Sequence, residues 1–323
     1  MGISIVGMLT SYSGIDQSDW LWQQSPHPFG RWGKIQMQAI AAQPDFLLLY
    51  NCHDFDRAPA QSNRFKKILK WQTQQHLSEA EIQKKLRYLP KERIISLWRE
   101  PPFAEKRSQR TQGYALSERY CGYVSGADEF APIPDYMPAI WYHANSFREL
   151  AEMPVPLKNR SCSWITSGID RTANHRQRLA FLQQLQQQFE FDLYGRGLPD
   201  WAKTQGTLAN KWNGMAPYFY NLALENYAEN EWYVTEKLWD ALLAWCLPIY
   251  YGGSAADRLL PPGSFLRLPS LDQAGIDFIR EVTATPNAWM EAQETIAQAR
   301  QIVLHELNLL NWLSNYVEKL PRS

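Results

Sequence analysis

The stretch from Pro217 to Gly253, PYFYNLALENYAENEWYVTEKLWDALLAWCLPIYYGG, constrains the fold more than any other part of the chain. It opens on an apolar run, Tyr218 to Leu224, of the kind that forms a strand buried on both faces. The run ends in two polar residues, Glu225 and Asn226, at the carboxyl end of that strand. Open α/β sheets bind their ligands there. A polar loop leads to Thr235-Glu236-Lys237, which opens an amphipathic helix with Leu238, Leu242 and Trp245 on its inner face. Pro248 is expected to stop the helix, and Ile249-Tyr250-Tyr251 to form a second strand running into Gly252-Gly253. The whole is a β-α-β unit of ordinary length with its polar residues gathered at one end.

Lys237 is the odd residue in that unit. A cation in a first helical turn faces the positive end of the helix dipole, at a cost of roughly 0.3–1 kcal/mol. Two readings follow. A solvated lysine would barely sense the dipole. Alternatively, an anion is held jointly by Lys237 and the free N–H groups of the helix start, a common way to grip phosphate. Glu236 reads either as a helix-start acid or as an acceptor for the ribose hydroxyls of a bound nucleotide.

At 323 residues the expectation is two domains, with 45% hydrophobic residues to fill their cores. Lys+Arg and Asp+Glu both number 33, and a net charge near zero argues against a nucleic-acid polymer as partner. No apolar run reaches the roughly 18 residues of a membrane span. The start, Met1-Gly2-Ile3-Ser4-Ile5-Val6, reads as a first strand rather than a signal peptide. Cys52, Cys121, Cys162 and Cys246 form no close CxxC pair and read as free thiols in a reducing compartment. The expected location is the cytoplasm, extending to peripheral contact at the inner membrane.

Along the chain, strands are expected at Gly2 to Leu9, Phe46 to Tyr50, Arg93 to Trp98, Ser161 to Thr166, Phe191 to Tyr194 and Phe265 to Leu268. Trp20 to Gly30 reads as a loop of aromatics and prolines, in which Trp22 and His27 are candidates to contact a sugar acceptor or, for Trp22, to plug a domain boundary. Asp54-x-Asp56 follows an apolar strand, a pattern that can hold a divalent metal against a diphosphate and that also arises by chance. Asn63 to Leu89 reads as a charged crossover helix with Lys66, Lys67 and Lys70 on one side. Glu100 closes the strand at Trp98, just before Pro101-Pro102, and reads as a surface acid or a general base. Glu152-Met153-Pro154-Val155-Pro156 is the linker candidate, dividing the chain into domains 1–155 and 156–323. Asn174 can cap a helix reaching about Gln188, which places Arg176 and Arg178 in its first turn.

The central block resembles the signature of the α-1,3-fucosyltransferases, glycosyltransferase family 10. The resemblance rests on Tyr218-Phe219-x-x-Leu222-Ala223-x-Glu225-Asn226, Tyr233-Val234-Thr235-Glu236-Lys237-Leu238-Trp239, Pro248-Ile249 to Gly252, and Leu260-Pro261-Pro262-x-Ser264-Phe265. It spans about fifty residues with the order of parts kept. The chain looks like the soluble bacterial type, and its reading departs from the animal members, which carry a membrane anchor and disulfides. The resemblance implies a GT-B fold, two Rossmann-like α/β domains facing a cleft, with a C-terminal helix crossing back to the first. It implies GDP-fucose as co-substrate, an oligosaccharide or glycolipid acceptor, and a place in protein glycosylation or cell-surface polysaccharide synthesis.

The same resemblance assigns roles. The family glutamate lies in Glu-Ser-Pro; here the pattern is Glu100-Pro101-Pro102. Arg178-x-Ala180-Phe181-x-x-x-Leu185 resembles the segment whose arginine binds the donor diphosphate. The implied donor set is Arg178, Glu225, Asn226, Tyr233, Glu236 and Lys237. No cofactor is required, and a divalent metal would at most stimulate. The implied reaction is an inverting transfer to an acceptor hydroxyl, α-1,3 to N-acetylglucosamine or glucose, with Glu100 as base. Its rivals are a GT-B transferase with another nucleotide sugar, a metal-dependent GT-A enzyme built on Asp54 and Asp56, and a non-catalytic glycan-binding protein.

Overall fold

The computed structural model describes residues 2–12, 18–58 and 76–320. Two parallel sheets organise them. The first has seven strands: β1 (Ser4–Thr10), β2 (Arg31–Trp32), β3 (Ile35–Met37), β4 (Phe46–Tyr50), β5 (Ile94–Trp98), β6 (Tyr123–Gly126) and β7 (Ile133–Pro134). Their order is β2-β3-β1-β4-β5-β6-β7, and only the β2–β3 pairing is antiparallel. The second has five, all parallel: β8 (Arg160–Ser167), β9 (Asp192–Arg196), β10 (Tyr218–Leu224), β11 (Leu247–Tyr251) and β12 (Leu266–Arg267), in the order β12-β11-β10-β8-β9.

Strands covered on both faces need unbroken apolar runs, and β4 and β5 are buried along their whole lengths. In β10 the one interruption is Asn221, whose Nδ2 donates to the Ser163 carbonyl and hydroxyl at 3.2 and 3.0 Å, so the buried amide is not left unpaired.

The expected strands all form, each within a few residues of its predicted span. Several other expectations need correction. Trp20 to Gly30 is not all loop: Ser18–Trp22 is helical and Pro28–Gly30 is a 3-10 turn. The helix expected at Asn174 starts earlier, because Thr172 accepts from the His175 amide as N-cap. Pro248 does not stop the helix that opens at Glu236. That helix ends at Leu243, Trp245 takes the left-handed conformation (φ 61°), and Pro248 lies inside β11. Proline is tolerated there because β12 pairs only with Ile249 and Tyr250, leaving the outer side open at 248. Lys66, Lys67 and Lys70 lie outside the described residues.

The chain returns to the first sheet at its end. Leu309, Leu310, Leu313 and Val317 of the helix Leu309–Lys319 share a core with Val6, Leu48, Ile95 and Leu97. Asn308, wholly buried, caps that helix through the Leu310 amide and donates to the Gln24 carbonyl at 2.9 Å. Arg300 fastens the connector, donating to the carbonyls of Leu150 (2.6 Å) and Leu243 (3.2 Å).

Candidate active site in the interdomain cleft

The carboxyl ends of β8 and β10 are neighbours, and a single arginine joins them. Arg178 donates to the Ser167 carbonyl at 2.8 Å and to Asn226 Oδ1. It is the sixth residue of the helix Ala173–Gln188, so it enters from the second turn, not the first. It is 3% exposed, its Nε has no hydrogen-bond partner among the described residues, and burial pulls its pKa down to about 10. Arg176 is exposed and donates to the Asp170 carbonyl at 3.1 Å.

The second cation comes from the next strand pair. Thr235 caps the helix Glu236–Leu243, accepting from the Lys237 amide. Lys237 Nζ lies 3.2 Å from Glu225 Oε2, 3.3 Å from Thr235 Oγ1 and 3.5 Å from Glu236 Oε1. Its side chain is 19% exposed. Burial opposes its charge, but the two carboxylates prevail and hold its pKa well above the ordinary lysine value.

Glu225 is enclosed. Its Oε1 accepts from the Thr235 amide at 2.7 Å and its Oε2 from the Thr235 hydroxyl at 2.7 Å, in addition to Lys237. Burial raises its pKa, against the pull of Lys237. With no exposed side-chain surface, Glu225 braces the strand end against the helix start rather than offering itself to a ligand. Glu236 is the more open acid, at 20% side-chain exposure. Burial works to raise its pKa, yet Lys237, Lys211 and a Thr235 hydrogen bond together depress it to about 2. Lys211 arrives from the 3-10 segment Lys211–Gly214 and lies 3.9 Å from Glu236 and 3.1 Å from the buried Asp240. Asp240 also accepts from the Tyr142 amide at 2.9 Å, so this pair ties the connector to the helix. Nothing in the motif reading singled out Lys211 or Asp240; the only signal was a lysine in a loop and an acid on an otherwise apolar helix.

Glu100 faces this group from the first sheet. It follows β5 and is partly buried. Burial raises its pKa and Glu236 raises it further, while Lys237, Lys106 and Arg110 draw it down. No hydrogen bond to its carboxylate is found among the described residues, which leaves it available. Tyr233, 4% exposed, feels Glu225, Glu100 and Glu236 together, and burial lifts its phenol far above its ordinary pKa. The two sides touch at several points. The Phe103 ring lies 5.1 Å from His175 and 6.3 Å from Tyr227, Glu105 accepts from the Ala173 amide at 3.3 Å, and Asn230 donates to the Ala127 carbonyl at 2.8 Å.

Glu100, Arg178, Asn226, Tyr233, Glu236 and Lys237 thus converge. Trp22 and His27 do not join them. Trp22 Nε1 donates to the Met37 carbonyl at 2.8 Å and its ring packs on Phe29. His27 is exposed beside Ile3 and Gly33 at the β2 edge, four strands from β5 and so roughly 19 Å away at about 4.8 Å per strand. Asp54 is exposed, and Asp56 Oδ2 is 2.9 Å from His76 Nδ1. Among the described residues, no three His, Cys, Asp or Glu side chains gather as a metal-binding group.

The model of glycosyltransferase family 10 (fucosyltransferase), C-terminal part, matches residues 155–291. Over that span the chain is similar to glycosyltransferase family 10. The matched span contains Arg178 and the whole Glu225–Lys237 cluster, whereas Glu100 lies before it. The chain is 33% identical over 144 residues to α-(1,3)-fucosyltransferase C of Drosophila melanogaster, covering 41% of this chain and 31% of that protein. It is 37% identical over 97 residues to human 4-galactosyl-N-acetylglucosaminide 3-α-L-fucosyltransferase FUT6, covering 28% and 24%. The matches thus span about a third or less of those relatives. In fold, the chain is similar to Anabaena Alr3699/HepE in complex with UDP and glucose, with TM-score 0.53 and 12% identity over 98% of this chain and 100% of that one. A DNA-modifying β-glucosyltransferase gives TM-score 0.52 and 10% identity, covering 98% of both chains. These neighbours share the GT-B architecture of two α/β domains. No helix among the described residues is long and apolar enough to cross a membrane.

Proposed function

We propose that the protein transfers fucose from GDP-fucose to a hydroxyl of an acceptor glycan, with inversion at the anomeric carbon. Residues 1–155 bind the acceptor and 156–323 the donor. One observation carries the reading: Glu100, on the first sheet, shares an electrostatic field with Glu236 and Lys237, which open a helix of the second. A base on one side and a cationic, helix-capped site on the other are what displacement at a nucleotide sugar requires.

In this mechanism Glu100 takes the proton of the acceptor hydroxyl. That oxygen forms a bond to the anomeric carbon from the face opposite the nucleotide. The bond from that carbon to the β-phosphate oxygen breaks, and GDP leaves with the electron pair. Inverting glycosyl chemistry proceeds in this way, one carboxylate activating the nucleophile. Arg178 and Lys237 meet the charge growing on the diphosphate. Glu236, ionised across the whole neutral range, accepts from the ribose hydroxyls. Asn226 and Tyr233 shape the sugar pocket, and Glu225 holds Lys237 in place. Metal is not required for any of these steps.

The fold neighbours described with UDP and glucose support a second reading, a GT-B transferase with another nucleotide sugar, because the diphosphate and ribose contacts do not select the hexose. Thermal shifts with GDP-fucose, GDP-mannose and UDP-glucose test the choice. GDP-fucose is expected to stabilise most, and a larger shift with UDP-glucose would favour the rival. Release of fucose from GDP-fucose, with or without acceptor, would exclude a purely glycan-binding protein.

A further inference from the structure

Glu236 and Asp240 are four residues apart on the helix Glu236–Leu243, so they share one face, where like charges repel. Lys211, from outside that helix, lies within reach of both. Its Nζ is 3.1 Å from Asp240 Oδ2 and 3.9 Å from Glu236 Oε1. Side-chain exposure rises from 2% at Asp240 to 20% at Glu236 and 33% at Lys211. The lysine is therefore anchored on the enclosed acid and reaches the open one.

The connector between the sheets holds Lys211 from its other side. Asn210 Oδ1 accepts from the amides of Trp212 and Ala144, each at 3.1 Å. The Lys211 ammonium lies 5.4 Å from the centre of the Tyr142 ring. The amide of the same Tyr142 donates to Asp240 Oδ1 at 2.9 Å. Three parts of the chain, at 142–144, 210–212 and 236–240, meet around one ammonium. A lysine stem loses much rotamer freedom when it is fixed, and this frame has already fixed it.

Glu236 needs a second cation to be held still. Lys237 Nζ approaches the same oxygen, Oε1, at 3.5 Å, but it also serves Glu225 at 3.2 Å and Thr235 at 3.3 Å. One shared ammonium lets a carboxylate swing about it, whereas two ammonium groups from different parts of the chain restrict its rotation.

We propose that Lys211 is a positioning residue: it holds the Glu236 carboxylate through Oε1, so that Oε2 meets the ribose hydroxyls of the donor, and it thereby makes the protein select a ribonucleotide over its deoxy form. The proposal rests on the GDP-fucose reading above. Lys211 does not touch the nucleotide. Asp240 fixes Lys211, and Lys211 fixes Glu236. The diphosphate grip of Arg178 and Lys237 stands apart from this chain of contacts.

The test is calorimetry with GDP and 2′,3′-dideoxy-GDP, which differ only in the ribose hydroxyls. Wild type is expected to bind GDP about tenfold or more tightly than the dideoxy form, the difference made by a hydrogen bond to a charged group. Two variants remove the ammonium. Lys211→Met/Asp240→Asn deletes one charge of each sign and leaves the net charge beside the diphosphate unchanged. Lys211→Gln keeps a donor for Asp240. In both, the ratio of the two Kd values is expected to fall to about threefold or less, with the dideoxy form bound within about twofold of wild type. Lys211→Arg, which keeps a cation beside both acids, is expected to retain the wild-type ratio. A purely structural role would weaken both nucleotides together or neither. An unchanged ratio in the two variants would therefore overturn the positioning role. Equal binding of GDP and its dideoxy form by wild type would remove Glu236 from the ribose, and Lys211 with it, while the transferase reading stands. No affinity of wild type for GDP would remove that reading and this proposal together.

Discussion

The Phe103 ring lies 5.1 Å from the imidazole of His175, and that contact joins the loop behind Glu100 to the helix that carries Arg178. Pro101 and Pro102 stiffen the loop, so the position of Phe103 fixes that of Glu100. Phe103→Ala should cost about 3 kcal/mol of stability from the lost ring. It should also admit water to Glu100 and reduce the burial that raises its pKa. The acid limb of the pH–rate profile is therefore expected at lower pH in the variant. An acid limb that stays put, with turnover unchanged, would show that Phe103 does not set the base.

Lys237 has a structural duty as well as the proposed binding one, and the two can be separated. Removing it leaves Glu225 charged, enclosed and short of its cation. Lys237→Ala should lose about 3 kcal/mol of unfolding free energy. The double variant Lys237→Ala/Glu225→Gln should recover a large part of that, while GDP binding stays weakened about tenfold or more. Recovered GDP affinity in the double variant would mean that Lys237 serves only the fold.

Asp240 provides a pH test. Burial pushes its carboxyl up to about 6, against Lys211, from an ordinary value near 4. The folded state therefore holds that proton more tightly than the unfolded one. Its contribution is fully present below about pH 4 and is lost as pH rises through about 6, on the order of 3 kcal/mol across the window. The Tm of Asp240→Asn minus that of wild type should become more positive between pH 4 and 7. A difference independent of pH would mean that Asp240 does not titrate there.

Arg178 should be the stronger donor contact, because it bridges two strand ends and keeps an unpartnered Nε. Arg178→Lys retains charge but not the fork that reaches both Ser167 and Asn226. GDP affinity, by calorimetry, is expected to fall at least tenfold even in this conservative variant. Equal affinity would place the diphosphate elsewhere.

The parts of the site that could be read in the sequence are those built on aliphatic strands and single caps. Tyr218–Leu224 is an unbroken apolar run, and Thr235 is the one good cap before Glu236, so both the strand and the helix start were legible. At the other helix, Thr172 and Asn174 compete as caps. The structure chooses Thr172, which moves Arg178 into the second turn. The helix Arg107–Tyr120 escaped notice because its buried stripe is Arg110, Tyr114, Ser117 and Tyr120, none of them aliphatic. Its burial depends on Asp128, eighteen residues past Arg110, a partner that no local pattern reveals. Lys211 joins Asp240 across 29 residues and was hidden for the same reason. Trp22 and His27 looked suitable by residue type, but the β2–β3 hairpin that places them at the sheet edge consists of strands of two and three residues, too short to show a period.

The most direct test of the account is the single-turnover rate of fucose transfer by Glu100→Gln, with GDP binding measured on the same protein. The carboxylate is partly buried, is matched by no hydrogen bond among the described residues and faces Glu236 and Lys237, so its replacement should remove the base and little else. The account predicts a rate about 10²–10⁴ lower, with the Kd for GDP within twofold of wild type. Wild-type turnover in Glu100→Gln would contradict it.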